Sequence, residues 1–277
     1  CIAFTQHGGQ LPSPPIAGRS GQQEALRRLS RQVVTQLELR RALLEMDQAI
    51  KTRDEMYTDL QAERKKSDSL MEKILPKNIA DEIKTNGKVE PKYFDEASIM
   101  FCDLVGFTKL TETLPPKTLV ELLDQIFCKF DSIAIKYNIE KIKTIGDAYM
   151  CVSGINNNKD KHAENLCSMA LEVRDYLEKS NIQREKLRMP RWDMRVGIHT
   201  GPVIAGVVGE NKFTFDVWGD AVNIAALMEQ NSDAGRINIS ESTHYRVKDK
   251  FIIEDRGEIA SLKKGDMKMF FLNNIKS

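Results

Sequence analysis

The chain has 277 residues, enough for one large domain or for a domain with an extension. Its 41 Lys and Arg stand against 40 Asp and Glu, and a net charge of +1 gives no electrostatic reason for a nucleic-acid partner. No apolar run approaches a membrane span and no signal peptide is visible, so a cytoplasmic setting is expected. The first residue is Cys1 rather than Met, which allows for a membrane anchor or sensor upstream. The five cysteines form no C-x-x-C pair, and Cys102, Cys128, Cys151 and Cys167 lie within apolar runs, so reduced, buried thiols are expected.

Residues 1–21 are dense in Gly and Pro and read as loop, or as the remnant of a preceding domain. Residues 22–75 change character. Leu26, Leu29, Val33, Leu37 and Leu44 recur at helical spacing, and a heptad frame runs through Leu43, Met46, Ile50, Tyr57, Leu60, Met71 and Ile74. That narrow seam is imperfect at Arg53, Arg64 and Ser67. A long amphipathic helix packed on its own domain is the alternative, but the length favours a two-stranded parallel coiled coil ended by Pro76. Residues 76–92 form a linker or transducing element, with a short helix stopped at Asn86-Gly87.

The segment 93–277 mixes strands and helices. A buried strand is predicted at Glu96–Cys102, a helix at Lys117–Tyr137, and a hairpin of Glu140–Thr144 with Ala148–Val152 that carries Asp147 at its tip. A second helix follows at His162–Lys179, then a hairpin of Met194–His199 with Val203–Val208 across Thr200-Gly201-Pro202. A helix at Gly219–Gln230, a strand at Arg236–Ser240 and a closing pair at Phe251–Asp255 and Met267–Leu272 complete the segment. The expected fold is α+β, a ferredoxin-like βαββαβ sheet with helices on one face, preceded by the coiled-coil helix. His199 and Trp218 are expected in its core.

Asp103 and Asp147 each stand where an apolar run breaks into a glycine turn. Each alone is readable as a turn residue or helix cap. Together they form a pair of hard oxygen donors suited to a divalent cation. Four ordered blocks, Phe94 to Thr108, Lys141 to Asp147, Arg195 to Val203 and Asp216 to Asn223, resemble the class III nucleotidyl cyclase catalytic domain, above all the homodimeric, bacterial-type adenylyl cyclases. The resemblance extends over roughly residues 72–277.

It implies that Asp103 and Asp147, with the Leu104 carbonyl, hold two Mg²⁺ or Mn²⁺ ions. Gly106, Phe107 and Thr108 would face the phosphates of the substrate ATP. Lys143 and Asp216 would read adenine, where guanylyl members typically carry Glu and Cys, and Asn223 would position the ribose. Lys263 or Lys264 would reach the phosphates from a loop, although a solvated charge pair explains them equally well. The resemblance also implies a homodimer joined through the coiled coil and the catalytic domains, with Asp103 and Asp147 from one chain facing Lys143, Asp216 and Asn223 of the other. An upstream sensor would regulate it. Two places depart from the family: Leu227 stands where an Arg usually reaches the α-phosphate, and in Ser261-Leu262-Lys263-Lys264-Gly265 the Lys is shifted in register against the usual Lys-Gly-Lys-Gly loop. The expected activity is therefore conversion of ATP to 3′,5′-cyclic AMP and pyrophosphate. A catalytically impaired nucleotide-binding dimerisation module and a guanylate cyclase are the alternatives.

Overall fold

The computed structural model describes residues 18–107, 114–156, 160–189, 191–210, 212–261 and 265–276. The chain divides into two compact units, Cys1–Met71 and Glu72–Ser277.

Among the described residues, the first unit consists of one helix, α1 (Gly18–Glu72). Its 55 residues rise about 1.5 Å each and span about 80 Å. Ion pairs one turn apart decorate it, among them Arg28–Glu24, Arg41–Glu45 and Lys51–Asp47 at 2.8–3.0 Å. Exposed pairs of this kind contribute only a few tenths of a kcal/mol. Leu43, Met46, Tyr57 and Leu60 of the apolar seam all stand more than half exposed. The helix stops at Glu72, so Ile74 lies in a turn beyond the seam. The residue before Pro76 is pushed out of the helical region, which makes an earlier stop natural.

The second unit begins with α2 (Lys77–Asn86), closed by Gly87 at φ +73° as its left-handed cap. There follow β1 (Lys92–Val105), α3 (Pro116–Lys136), β2 (Glu140–Ile145), β3 (Ala148–Ser153), α4 (His162–Lys186) and β4 (Asp193–Val208). β1 runs antiparallel to β3 and β4, and β2 antiparallel to β3. The order β2-β3-β1-β4 is the ferredoxin-like arrangement. Beyond it come β5 (Thr214–Trp218), α5 (Asp220–Gln230), β6 (Ile237–Ser240), α6 (Glu241–Val247), β7 (Phe251–Ser261) and β8 (Gly265–Ile275). They extend the sheet through β6, parallel to β4, then β8 and β7, while β5 pairs with β4.

Strand alternation splits the two faces. Met100, Cys102 and Leu104 of β1, with Val196 and Ile198 of β4, pack with Phe130, Ile133, Leu166 and Ala170 of α3 and α4. Fully burying such side chains contributes about 1.5–3 kcal/mol each. The alternate positions, Asp103, Arg195 and Gly197, face the other way, and α5 lies there. A Cβ on Gly197 would stand 1.9 Å from the Glu229 nitrogen and 2.5 Å from the Met228 carbonyl carbon. Only glycine lets that helix seat against the strand. The two helices of the βαββαβ unit thus share one face, and α5 is an addition on the opposite one.

Several local expectations change. Residues 193–208 form one strand rather than a hairpin, because the ladder with β1 continues through Phe94↔Val203 and Ala97↔Gly201. The register shift between those pairs falls at Pro202, whose missing N–H a bulge accommodates. Cys102, Cys151 and Cys167 are buried free thiols, but Cys128 is exposed, since helical rotation turns it outward from the apolar run that contains it. His199 is buried, whereas Trp218 ends β5 at 38% exposure. No helix among the described residues is long and apolar enough to cross a membrane.

Candidate active site

Two ionic clusters form around the residues singled out by sequence. In the first, Asp103 stands on β1 directly across from Arg195 on β4 and from Ala148 on β3. Asp147 precedes Ala148 in the β2–β3 turn, where Gly146 adopts φ +64° and supplies the left-handed residue the turn needs. Arg195 donates to Asp103 Oδ2 at 2.8 Å, and its Nε lies 3.2 Å from Glu229 Oε1. That second contact is an ion pair without hydrogen-bond alignment, since both atoms are buried and neither is satisfied.

Two carboxylates therefore pair with one guanidinium, and Asp147 stands within reach of its charge. The protonation behaviour reflects the crowding. Burial first, and the Asp103 charge next, hold the Asp147 carboxyl above its ordinary range. Glu229 is pushed up to about 7, chiefly by burial, against the pull of Arg195. The hydrogen bond to Asp103 raises Arg195 in turn.

Oxygen donors in negative surplus fit a hard divalent cation. No group of three or more His, Cys, Asp and Glu with metal-binding geometry occurs among the described residues. Protein donors at this place are thus few, and the remaining positions are open to substrate phosphate or water. Leu104 is buried, with its side chain in the α3–α4 core, so only its backbone carbonyl is a plausible donor.

The second cluster pairs β2 with β5. Lys143 Nζ donates to Asp216 Oδ2 at 2.5 Å, and Asp216 Oδ1 accepts from the Val217 N–H at 2.9 Å. The Asp216 side chain is 14% exposed and that of Lys143 37%, so the pair is accessible from the Lys143 side. The sequence-predicted purine pair is thus brought together in one chain.

Asn223 lies exposed in the first helical turns of α5 and Leu227 half-buried one turn on. Gly106 adopts φ +78° just beyond β1, and Phe107 packs partly against the core. Thr108, Lys263 and Lys264 lie outside the described residues. Sequence reasoning missed Arg195 and Glu229 as members of the carboxylate cluster. Alternation with the core residues Met194 and Val196 marks Arg195 as turned away from that core, but nothing local in sequence brings Glu229 to it.

The family model described as the Adenylate and Guanylate cyclase catalytic domain matches residues 89–274. An adenylate cyclase of Mycobacterium tuberculosis is 38% identical over 218 residues, covering 77% of this chain and 47% of that protein. A receptor-type guanylate cyclase of Caenorhabditis briggsae is also 38% identical, over 224 residues, covering 79% of this chain and 20% of that protein. The chain thus spans about half the length of the mycobacterial relative it matches, and less of the nematode one.

Among solved structures, the adenylyl cyclase CyaB of P. aeruginosa superposes with a TM-score of 0.64 at 27% identity, covering 68% of this chain and 98% of that one. The guanylate cyclase domain of RhGC from Catenaria anguillulae, solved in complex with GTP, gives 0.63 at 29%, covering 67% and 100%. The matched span opens just before β1 and closes within β8, so it takes in the whole sheet and both ionic clusters, and the chain belongs to the family of adenylate and guanylate cyclase catalytic domains.

Proposed function

We propose that the chain is the catalytic part of an adenylate cyclase that converts ATP to 3′,5′-cyclic AMP and pyrophosphate. The observation that carries the choice of base is the Lys143–Asp216 pair. An ammonium donates to adenine N1 and a carboxylate accepts from the N6 amine. Guanine presents N1–H and O6 at those edges, so both contacts would be mismatched, at about 1–3 kcal/mol each. Binding a base requires the pair to open towards the ligand, which the exposure of Lys143 permits.

Asp103 and Asp147, with the Leu104 carbonyl, would hold two Mg²⁺ or Mn²⁺ ions in the carboxylate-rich cluster. Such ions lower the pKa of the ribose 3′-hydroxyl and stabilise charge on the departing pyrophosphate. The residues of this chain orient the reactants. Asn223 holds the ribose so that its 3′-oxygen lies in line with the α-phosphorus. Backbone N–H groups at Gly106 and Phe107, continuing to Thr108, receive the phosphates, and Lys263 or Lys264 adds a cation there. Leu227 provides no charge to the α-phosphate. Absence of one such contact costs about 3–4 kcal/mol, or two to three decades in rate.

The active unit in this reading is a homodimer. The exposed seam of α1 is apolar along a helix far too long to be held by its own ion pairs, and a second copy of the helix covers it. Each site would take Asp103 and Asp147 from one protomer and Lys143, Asp216 and Asn223 from the other, with an upstream sensor acting through the helix. The deciding experiment is Mn²⁺-dependent turnover of ATP and GTP by wild type and Asp147→Ala. Clear excess of cyclic AMP from wild type supports the reading; equal turnover by the two proteins defeats it. Mixed Asp103→Ala and Lys143→Ala subunits should recover one working site per heterodimer, and no recovery rules out a shared site.

A second reading has its own observation. Leu227 in place of a cation fits an impaired module that binds nucleotide and dimerises. Nucleotide binding by wild type with no turnover above Asp147→Ala would select it.

A further inference from the structure

Lys141 and Lys143 of β2 stand on opposite faces of the sheet, although they are two positions apart. In a regular strand residues i and i+2 share a face, about 7 Å from one another. Here Lys141 pairs with Cys151 of β3 and Lys143 with Met150, so Ile142 is an extra residue in the ladder. That is a β-bulge, and it turns over the part of the strand that precedes it. Cys151 belongs to the core that α3 and α4 cover, and Lys141 stands on that side. Lys143 leaves by the other face, where it meets Asp216.

An unbulged strand is open to the same sequence. Continuing the register of Lys143↔Met150 and Thr144↔Tyr149 would bring Ile142 opposite Cys151 and Lys141 opposite Val152. Ile142 would then face α3, as it already does, since it lines a cavity with Asp131, Ala134 and Ile135. The bulge therefore changes the side of Lys141 and not that of Ile142. A prepared acceptor meets the lysine there. Lys141 Nζ donates to Asp131 Oδ2 at 2.8 Å, and the Tyr149 hydroxyl donates to Asp131 Oδ1 at 2.8 Å. The ammonium also lies 5.3 Å from the centre of the Tyr149 ring. The Asp131 and Lys141 side chains are each 37% exposed, and an ion pair alone holds little at that exposure. Tyr149 is what stiffens it. Its ring is fully buried, with Phe130 edge-on at 5.5 Å, and turning Asp131 away would cost the phenol its hydrogen bond.

We propose that Asp131 and Tyr149 determine specificity at the base site by holding Lys141 on the α3 face, so that Asp216 meets one ammonium and not two. The inference rests on the reading of Lys143 and Asp216 as the base-recognising pair. In the unbulged register Lys141 would stand beside Lys143, and its side chain is long enough to reach the same carboxylate. Asp216 would then be shared between two donors and less free to accept from the adenine N6 amine. The second ammonium would also offer a donor to guanine O6. Both effects erode a preference for ATP over GTP.

The test reads the ratio of ATP to GTP affinity, measured by competition binding on the full chain with Mn²⁺, which needs no turnover. Asp131→Ala/Tyr149→Phe removes the anchor without stranding the phenol. It should lower the ratio by about tenfold, the scale on which one shared or mismatched buried contact changes binding. Adding Lys141→Met leaves no lysine to relocate, and should return the ratio to that of wild type. Lys141→Met alone should leave the ratio unchanged. A general loosening of the fold would depress the triple variant as well, so the rescue separates specificity from structure. Asp131→Asn, which keeps an acceptor for the phenol, should move the ratio in the same direction if the double variant does not fold.

Backbone NOEs between β2 and β3 are the second readout. They should place Lys141 opposite Cys151 in wild type and opposite Val152 in Asp131→Ala/Tyr149→Phe. A wild-type ratio in the double variant overturns the proposal, and so does failure of Lys141→Met to rescue it. Lys141 still opposite Cys151 in the double variant overturns it too, because the bulge then has another support. A wild type without preference for ATP defeats the base reading and the proposal with it. That result is distinct from the other three, in each of which wild type prefers ATP.

Discussion

The two ionic clusters differ in charge balance. Around Arg195, Asp103 and Glu229 pair with one guanidinium and the Asp147 carboxylate adds its charge nearby. At the other cluster one ammonium meets one carboxylate, Lys143 with Asp216. The first is short of positive charge and leaves buried polar atoms of Arg195 and Glu229 without hydrogen bonds. The second is neutral and closed on itself. A surplus of carboxylate favours recruitment of cations, whereas a neutral pair favours a ligand that replaces both halves of the pair at once. The proposed function asks for such a contrast, with metal loaded at the first cluster and a base read at the second.

The harshest way to break that comparison is at the first cluster. Asp147→Ala should leave the β2–β3 hairpin folded, because its turn rests on Gly146, yet lower Mn²⁺-dependent turnover by roughly three decades or more. A product assay with circular dichroism as the folding control checks it. Retained activity would show that the acidic surplus has no catalytic use. Next in size is a gain. Leu227→Arg should raise kcat by up to about 100-fold, since it returns a cation to a helix position one turn beyond Asn223. An unchanged rate would mean that another cation already reaches the α-phosphate.

The neutral cluster is sharpened by exchanging its polarity. Lys143→Glu with Asp216→Cys should lower the ATP-to-GTP ratio of kcat/KM by about tenfold to a few hundredfold, at 1–3 kcal/mol for mismatched buried contacts. Competition assays with both nucleotides measure it. A ratio that does not move would remove the pair from base recognition.

These sites were legible in sequence to different degrees, for physical reasons. Strand ends that break into glycine turns marked Asp103 and Asp147, because a local pattern carries that signal. The βαββαβ layout followed from the alternation of strand and helix patterns. Arg195 and Glu229 stand 34 positions apart and meet only because Gly197 lets α5 press against β4, a long-range contact with no local signature. β5 is five residues long and α6 seven, below the length at which periodicity distinguishes them. The α6 start does have a cap, Ser240 accepting from the Thr243 N–H, embedded in a Ser/Thr-rich stretch that equally fits a turn. Pro202 disguised the continuity of β4, since a bulge rather than a turn absorbs it.

The mildest probe tests the overload of the first cluster without touching Asp103 or Asp147. Glu229 titrates at about 7 in the folded chain, against 4.5 for the free side chain, with burial as the main cause. Below pH 4.5 the folded and unfolded states both hold the proton, and stability is insensitive to it. Between about pH 4.5 and 7 the unfolded chain ionises first, so stability falls as pH rises; above 7 both states are ionised and the loss is complete. A raised acid pKa therefore destabilises on the alkaline side. The full loss is on the order of 2–4 kcal/mol, at 1.36 kcal/mol for each pH unit between 4.5 and about 7. Glu229→Gln keeps the shape and removes the ionisation, while Arg195 retains Asp103 as its partner. Urea melts of the variant should match wild type at pH 4 and below and exceed it by about 2–4 kcal/mol at pH 8. A difference that stays constant with pH would mean that burial in the first cluster does not hold the proton on Glu229, and that its carboxylate is accommodated as readily as Asp216 is in the second.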